Sequence, residues 1–312
     1  MCSSTERKLR YKRRVRDALV ALEGAWRAAV LSPESQGVKG TLLDGRFEVR
    51  RVIERGGFAT VWEGRDRQHE GRTCAVKIFR HELLDNSWMA KRFQQEVSAL
   101  TQVNHPNVVG IYGHGSVNNG APYLAMEFIE GKTLRDVLRE TKLQYRQTAS
   151  YLRQTASALS EIHARGICHR DVKPENLMIR SAAEPGTELV LIDFSIAIVQ
   201  DPDETIHGLS RAAGTLYYMV PEQAIGYANE SSDIYSLAKI VIEMLTGERL
   251  STLLPDASID LAARVRELLA KLEVGLSAAS IDLLASALEF DPSRRPNRAG
   301  DFGAQIAVDL ED

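Results

Sequence analysis

The sequence predicts an α+β protein: a small antiparallel β lobe, then a larger α-helical lobe, with an amino-terminal helix in front. Three observations carry this. Between Phe47 and Phe128, apolar residues alternate over short runs broken by Gly-containing turns. After Gly131 the apolar spacing lengthens to three and four over long stretches. Residues 6–31 carry a separate stripe of Tyr11, Val15, Leu19, Leu22, Trp26 and Val30 that Ser32-Pro33 ends.

Taken in order, residues 33–45 hold Gly37, Gly40 and Gly45 among small polar residues and read as a linker. Phe47–Ile53, Thr60–Arg65 and Thr73–Phe79 read as strands, with a turn at His69-Glu70-Gly71. Residues 87–103 switch to helical spacing through Phe93, Val97, Leu100 and Val103. Two more strands are expected near Val108–Gly113 and Tyr123–Phe128, then helices at 133–140, 147–165, 231–247 and 277–289. No internal repeat or low-complexity tract interrupts this order.

Bulk composition narrows the function. The chain has 312 residues, 44% apolar and 26% charged, which is ordinary for a globular protein. A net charge of −3 gives no general pull toward nucleic acid. The charge is uneven: Arg7, Lys8, Arg10, Lys12, Arg13, Arg14 and Arg16 oppose only Glu6 in the first sixteen residues. That cluster reads first as a solvated helix face. Cys2, Cys74 and Cys168 make no paired framework and suit a reducing compartment. No apolar run reaches the roughly 18–20 residues of a membrane span, and no signal-peptide core follows the basic start. A cytoplasmic protein is expected.

The segment His169-Arg170-Asp171-Val172-Lys173-Pro174-Glu175-Asn176 carries the chemistry. One short loop offers a carboxylate, a cation and an amide at offsets that are no common accident. Leu191-Ile192-Asp193-Phe194 ends an apolar run on a second carboxylate, and Ala75-Val76-Lys77 ends another on a lysine. These are the groups needed to hold a nucleotide triphosphate, its Mg²⁺ and an attacking hydroxyl. In these motifs the chain resembles the protein kinase family over about residues 46–308, most closely its bacterial eukaryotic-like serine/threonine members.

The resemblance implies a bilobal protein-kinase-like fold: a small lobe at 46–126, a hinge at about 127–132 and a large lobe at 133–308, behind a basic helix and linker at 1–45. It implies ATP and Mg²⁺ as cofactors, with Mn²⁺ as the alternative metal. Asp171 would handle the proton of the substrate hydroxyl, and Lys173 would steady the transferring phosphoryl. Asn176 and Asp193 would hold metal. Lys77 would meet the α/β-phosphates, oriented by Glu96 on the 87–103 helix. Ile53, Gly56, Gly57, Val61, Ala75, Met126, Glu127, Ile129 and Met178 would line the nucleotide site. Met126 would guard the pocket behind the adenine, and the backbone of Glu127 and Ile129 would bind its edge. His169 is read as a core residue stacked with Leu100, Ile111 and Phe194 on Asp233. Glu222 of the Gly214–Glu222 segment would pair with Arg295.

Three departures from the family pattern stand out: Glu54 and Ala59 replace two glycines of the phosphate loop, and Ser195 follows Asp193-Phe194 where glycine is usual. An active kinase with autophosphorylation of its activation segment, at Ser210 or Thr205 and aided by Arg170, is the leading expectation. A pseudokinase acting as a nucleotide-binding scaffold or switch is the alternative. A small-molecule phosphotransferase is the third reading, disfavoured by the complete peptide-seating segment through Glu222. Protein substrates are expected as partners. The amino-terminal helix would dock on the kinase body, self-associate or meet another protein, or hang as a mobile tail.

Overall fold

The structure is a computed structural model. It describes residues 38–311 except 57–58, 81–86, 119, 185–187, 195–217, 219, 221, 223–227, 255–259 and 273, and for 87–90 and 92 it describes the backbone alone. The amino-terminal helix, Gly57, Ser195, Thr205, Ser210 and Thr215 therefore lie outside the described residues.

Six strands form the small lobe's sheet in the order β1-β2-β3-β4-β6-β5, every neighbouring pair antiparallel. They are β1 (Leu42–Leu43), β2 (Phe47–Arg55), β3 (Ala59–Asp66), β4 (Arg72–Phe79), β5 (Ile111–Ser116) and β6 (Pro122–Glu127). Helix α1 (Ser87–Leu100) lies between β4 and β5 in the chain. The β3–β4 turn bends through left-handed Glu70 and Gly71. It is pinned by the buried Asp66 carboxylate, which accepts from Arg46 at 3.0 Å and from the Gln68 N–H at 3.2 Å.

Strand alternation gives this sheet two different faces. Cys74, Val76 and Ile78 of β4 join Phe47, Val49, Trp62, Tyr123 and Ala125 in one apolar cluster. The alternate residues Ala75 and Phe79, with Leu124 and Met126 of β6, join a second cluster that runs on into the helical lobe. The site therefore grows on the sheet face whose core is shared by both lobes.

A second sheet, β7-β8-β9, opens the large lobe: β7 (Gly131–Thr133), β8 (Leu177–Arg180) and β9 (Leu189–Leu191). Around it the chain is helical: α2 (Leu134–Glu140), α3 (Tyr145–His163), α4 (Glu230–Thr246), α5 (Leu250–Leu253), α6 (Leu261–Leu272), α7 (Ala278–Ser286) and α8 (Ala299–Glu311). Capping explains two of the starts. Thr133 and Asp136 cap α2 reciprocally, and Asn229 and Ser232 do so for α4. Left-handed Gly247 ends α4. Fourteen residues of α4 are buried, which makes it the central post of the lobe.

Among the described residues, the expected helices and strands are present within a few residues. Further elements go beyond the expectation. β1 lies in the stretch read as linker, and Val38 packs against the small-lobe cluster. β7–β9 form a small sheet of their own, and α6 and α8 extend the helical lobe.

Candidate active site

The residues of the His169–Asn176 loop stand where a buried carboxylate puts them. Asp233, near the start of α4, is 1% exposed. It accepts the His169 N–H and the Arg170 N–H, each at 2.8 Å, and meets His163 Nε2 at 2.8 Å. Burial pushes its carboxyl up, but the hydrogen bond from His163 and the charges around it win, and its pKa lies below the ordinary value. His169 is fully buried, with its ring 4.9 Å from Phe194 and its Nε2 2.8 Å from the Ile192 carbonyl oxygen. Burial lowers its pKa against the pull of the Asp233 charge.

Beyond this anchor, Arg170 adopts a left-handed backbone with φ +67°, and Asp193 does likewise at +60°. Non-glycine residues pay about 1–3 kcal/mol for such conformations and keep them only where surroundings enforce them. For Arg170 the enforcement is its N–H on Asp233 and its guanidinium on Glu96. For Asp193 it is Ile192, whose N–H donates to the Asn176 carbonyl at 2.9 Å while its own carbonyl meets His169.

The turn then brings three predicted residues together. The Lys173 ammonium lies 2.7 Å from Asp171 Oδ2. The Asn176 side-chain amide donates to the Asp171 carbonyl at 2.8 Å and to its carboxylate at 3.0 Å. That leaves the Asn176 amide oxygen as the acceptor for a cation. Burial raises the Asp171 pKa against the pull of Lys173, and the nearby Asp193 charge adds to the rise. Lys173 is shifted the other way by burial, but Asp171 wins and its pKa is raised.

On the sheet side, register sets the geometry. Val61 faces Lys77 across β3–β4, and Ala75 faces Met126 across β4–β6. Cross-strand partners share a face, as do residues two apart, so Val61, Ala75, Lys77 and Met126 point to one side. Met178 on β8 and Ile129 in the hinge join the same apolar cluster as Ala75 and Met126. The Gly56 N–H closes the phosphate-loop turn onto the Ala59 carbonyl at 2.9 Å. Ile53 sits at a register shift and is 44% exposed; Glu54, its neighbour, is the cross-strand partner of Val61.

One expected pairing is not formed. Lys77 contacts the Asp193 carboxylate and reaches the Phe194 carbonyl at 3.4 Å, while Glu96 lies 3.2 Å from Arg170. The physical reason is local: left-handed Arg170 and Asp193 bring a cation and an anion closer to Glu96 and Lys77 than these are to each other. Partial burial favours the neutral Asp193, yet the Lys77 ammonium holds its carboxyl below the usual value.

Glu222 and Arg295 form the expected pair, a two-pronged contact at 2.5 and 3.0 Å with Arg295 buried. Sequence reasoning missed a neighbouring network. Arg135 on α2 bonds Glu175 at 2.8 Å and Glu243 at 2.5 Å, and contacts the Tyr218 hydroxyl. The two described cysteines are held as thiols: burial pushes Cys74 up to about 11 and Cys168 up to about 12.

A family description, protein kinase domain, matches residues 47–305. The chain belongs to the protein kinase family. Among curated relatives it is 31% identical to the serine/threonine-protein kinase pkn3 of Myxococcus xanthus, over 90% of this chain and 53% of that protein. It is 33% identical to PknA of Mycobacterium tuberculosis, over 86% of this chain and 62% of PknA. The chain thus spans between half and two thirds of these relatives' length. Among solved structures, the PknI kinase domain of M. tuberculosis superposes with a TM-score of 0.64 at 22% identity, covering 87% of this chain and 98% of that domain. At that identity the likeness is one of fold. Among the described residues no helix is long and apolar enough to cross a membrane.

Proposed function

We propose that this chain is an ATP-dependent serine/threonine protein kinase of the cytoplasm. It transfers the γ-phosphoryl of ATP to protein hydroxyls, with Mg²⁺, or Mn²⁺ in its place, as the metal. The observation that carries the reading is the mutual bonding of Asp171, Lys173 and Asn176 in a loop set against Asp193 and Lys77.

The donor set fits the metal. Mg²⁺ takes one or two protein carboxylates and fills its remaining positions with phosphate and water oxygens. Asp193 offers the carboxylate and Asn176 an amide oxygen. Among the described residues no cluster of three or more acidic, histidine or cysteine side chains competes as an all-protein cage. Once bound, ATP and metal supply the electrophilic phosphoryl group and neutralise charge on the departing diphosphate.

The chain's own residues divide the remaining work. Asp171 takes the substrate hydroxyl's proton; its raised pKa makes it a better acceptor than a surface aspartate. Lys173 holds Asp171 in place and sets a positive charge beside the transfer path. Lys77 would supply a positive charge to the phosphates of bound ATP. The protein substrates follow from the kinase reading as a class, with the chain's own activation segment among them.

Incubation with γ-labelled ATP, Mg²⁺ and a generic basic protein tests this directly. Label on serine or threonine is expected. Nucleotide binding with no transfer to any protein would replace the reading by that of a nucleotide-binding scaffold.

A further inference from the structure

The hinge is closed into a loop by two consecutive residues of the large lobe. Glu127 ends β6, and its N–H donates to the Gly110 carbonyl at 2.8 Å, so its backbone belongs to the small lobe's sheet. Four residues later Gly131 starts β7 and pairs with Arg180 of β8. The two strands approach so closely that a Cβ on Gly131 would sit 1.9 Å from the Ile179 carbonyl oxygen. Next to it, the Ser181 N–H donates to the Glu130 carbonyl at 2.8 Å. Arg180 then reaches back across the lobe junction. Its guanidinium meets the Glu127 carboxylate in a two-pronged contact at 2.6 and 3.1 Å.

Arg180-Ser181 therefore holds the far end of the hinge through Gly131 and Glu130, and the near end through the Glu127 side chain. Of these three contacts only the Arg180–Glu127 pair links the two lobes by side chains. Both side chains are about three quarters buried, at 24% and 26% exposure, so the pair is more protected from solvent than a surface ion pair. Between its anchor points lie the backbone groups of Glu127 and Ile129.

We propose that Arg180 is a positioning residue for the nucleotide. By fixing the Glu127 side chain it sets the spacing and tilt of the hinge edge that receives adenine. The inference rests on the kinase reading above, which puts adenine against Glu127 and Ile129. Arg180 acts through Glu127 and touches no reacting atom. Its loss therefore weakens nucleotide binding in ground state and transition state alike, which raises KM and leaves kcat.

The test compares the full chain with Arg180→Ala, Arg180→Glu, Glu127→Arg and the exchange double variant, by direct titration with ATP·Mg²⁺ and by steady-state kinetics. Arg180→Ala is expected to raise Kd and KM for ATP about three- to tenfold, with kcat within about twofold. Each single reversal brings like charges together and weakens binding further; the double exchange recovers most of the wild-type affinity. A merely structural role would lower thermal stability without separating KM from kcat, and the exchange would restore stability alone. That result overturns the proposal, as does unchanged ATP affinity in Arg180→Ala beside a wild type that binds. A wild type that binds no ATP·Mg²⁺ overturns the reading of the site and the proposal with it.

Discussion

Glu96 lies 3.2 Å from Arg170, and Lys77, its expected partner, rests on Asp193. Two cation–carboxylate pairs have exchanged partners relative to the arrangement in which Lys77 serves phosphate. Lys77 side chain and Glu96 are both largely buried, so neither charge can be left bare. The exchange therefore keeps both charges satisfied.

Lys77→Met removes the cation from this pair. Asp193 loses the partner that depresses its pKa, so its carboxyl rises toward the ordinary value or above it. The fold is expected to survive, since Asp193 keeps 40% exposure and can be hydrated. Phosphotransfer should fall at least about tenfold, a loss of about 1.4 kcal/mol in barrier terms. Undiminished turnover with a normal circular-dichroism spectrum would remove Lys77 from the site.

Asp171→Asn and Asp193→Asn each delete one charge from proton handling or metal holding. Both are expected to fold and to lose phosphotransfer. Retention of more than about a tenth of the wild-type rate by clean Asp193→Asn protein would contradict its metal role, because even a loss of roughly 1.4 kcal/mol is tenfold.

Asp233 makes stability depend on acid. Its folded pKa lies below the unfolded value of about 3.9, so its contribution is complete above that value and fades as pH falls through the folded pKa. Asp233→Asn should cost about 3 kcal/mol at neutral pH, because His163 and two loop N–H groups lose a charged acceptor. Denaturant titrations of both proteins at neutral pH and near pH 3 should show the gap narrowing in acid. A gap that stays constant would mean that the carboxylate's charge is not what holds the loop.

The amino-terminal stripe of Tyr11, Val15, Leu19, Leu22, Trp26 and Val30 needs a covering surface if it forms a helix. Cutting after residue 37 tests it cleanly. A cut at 40 would also remove Val38 from the small-lobe cluster and the Gly40 N–H from the Val49 carbonyl. Loss of activity or a lower melting temperature is expected, with Trp26→Ala partway. Equal melting, turnover and sedimentation would mark the segment as dispensable.

The site was readable where its chemistry is local in sequence. Asp171, Lys173 and Asn176 lie within six residues, so their pattern shows in one short window even though the loop is anchored on distant Asp233. Pairings across the fold were readable only where the family resemblance supplied them, as for Glu222 with Arg295. Glu127 and Arg180 stand 53 residues apart, and Glu96 and Arg170 stand 74 apart; nothing in either neighbourhood names the other. Helix α8 shows a different obstacle. Gly300 and Gly303 argue against a helix by propensity, yet a Cβ on Gly303 would lie 2.4 Å from the Ala156 Cβ of α3. Packing against α3 demands the glycine that local preference counts as a breaker. Helix α6 carries the regular stripe Leu261, Val265 and Leu269 and was legible without being among the expected elements. β1 has two residues, too few for any period to register.

The Asp233 anchor also sets a timescale. The His169 and Arg170 amides sit in a loop, outside any helix or strand ladder, and loops ordinarily exchange their amide hydrogens with water within fast local openings. These two are bonded to a carboxylate on the most deeply buried helix of the large lobe. Their opening is therefore expected to be tied to that of α4. In deuterium exchange they should behave as core amides, among the last to label, so that the catalytic loop reports the global unfolding of its lobe.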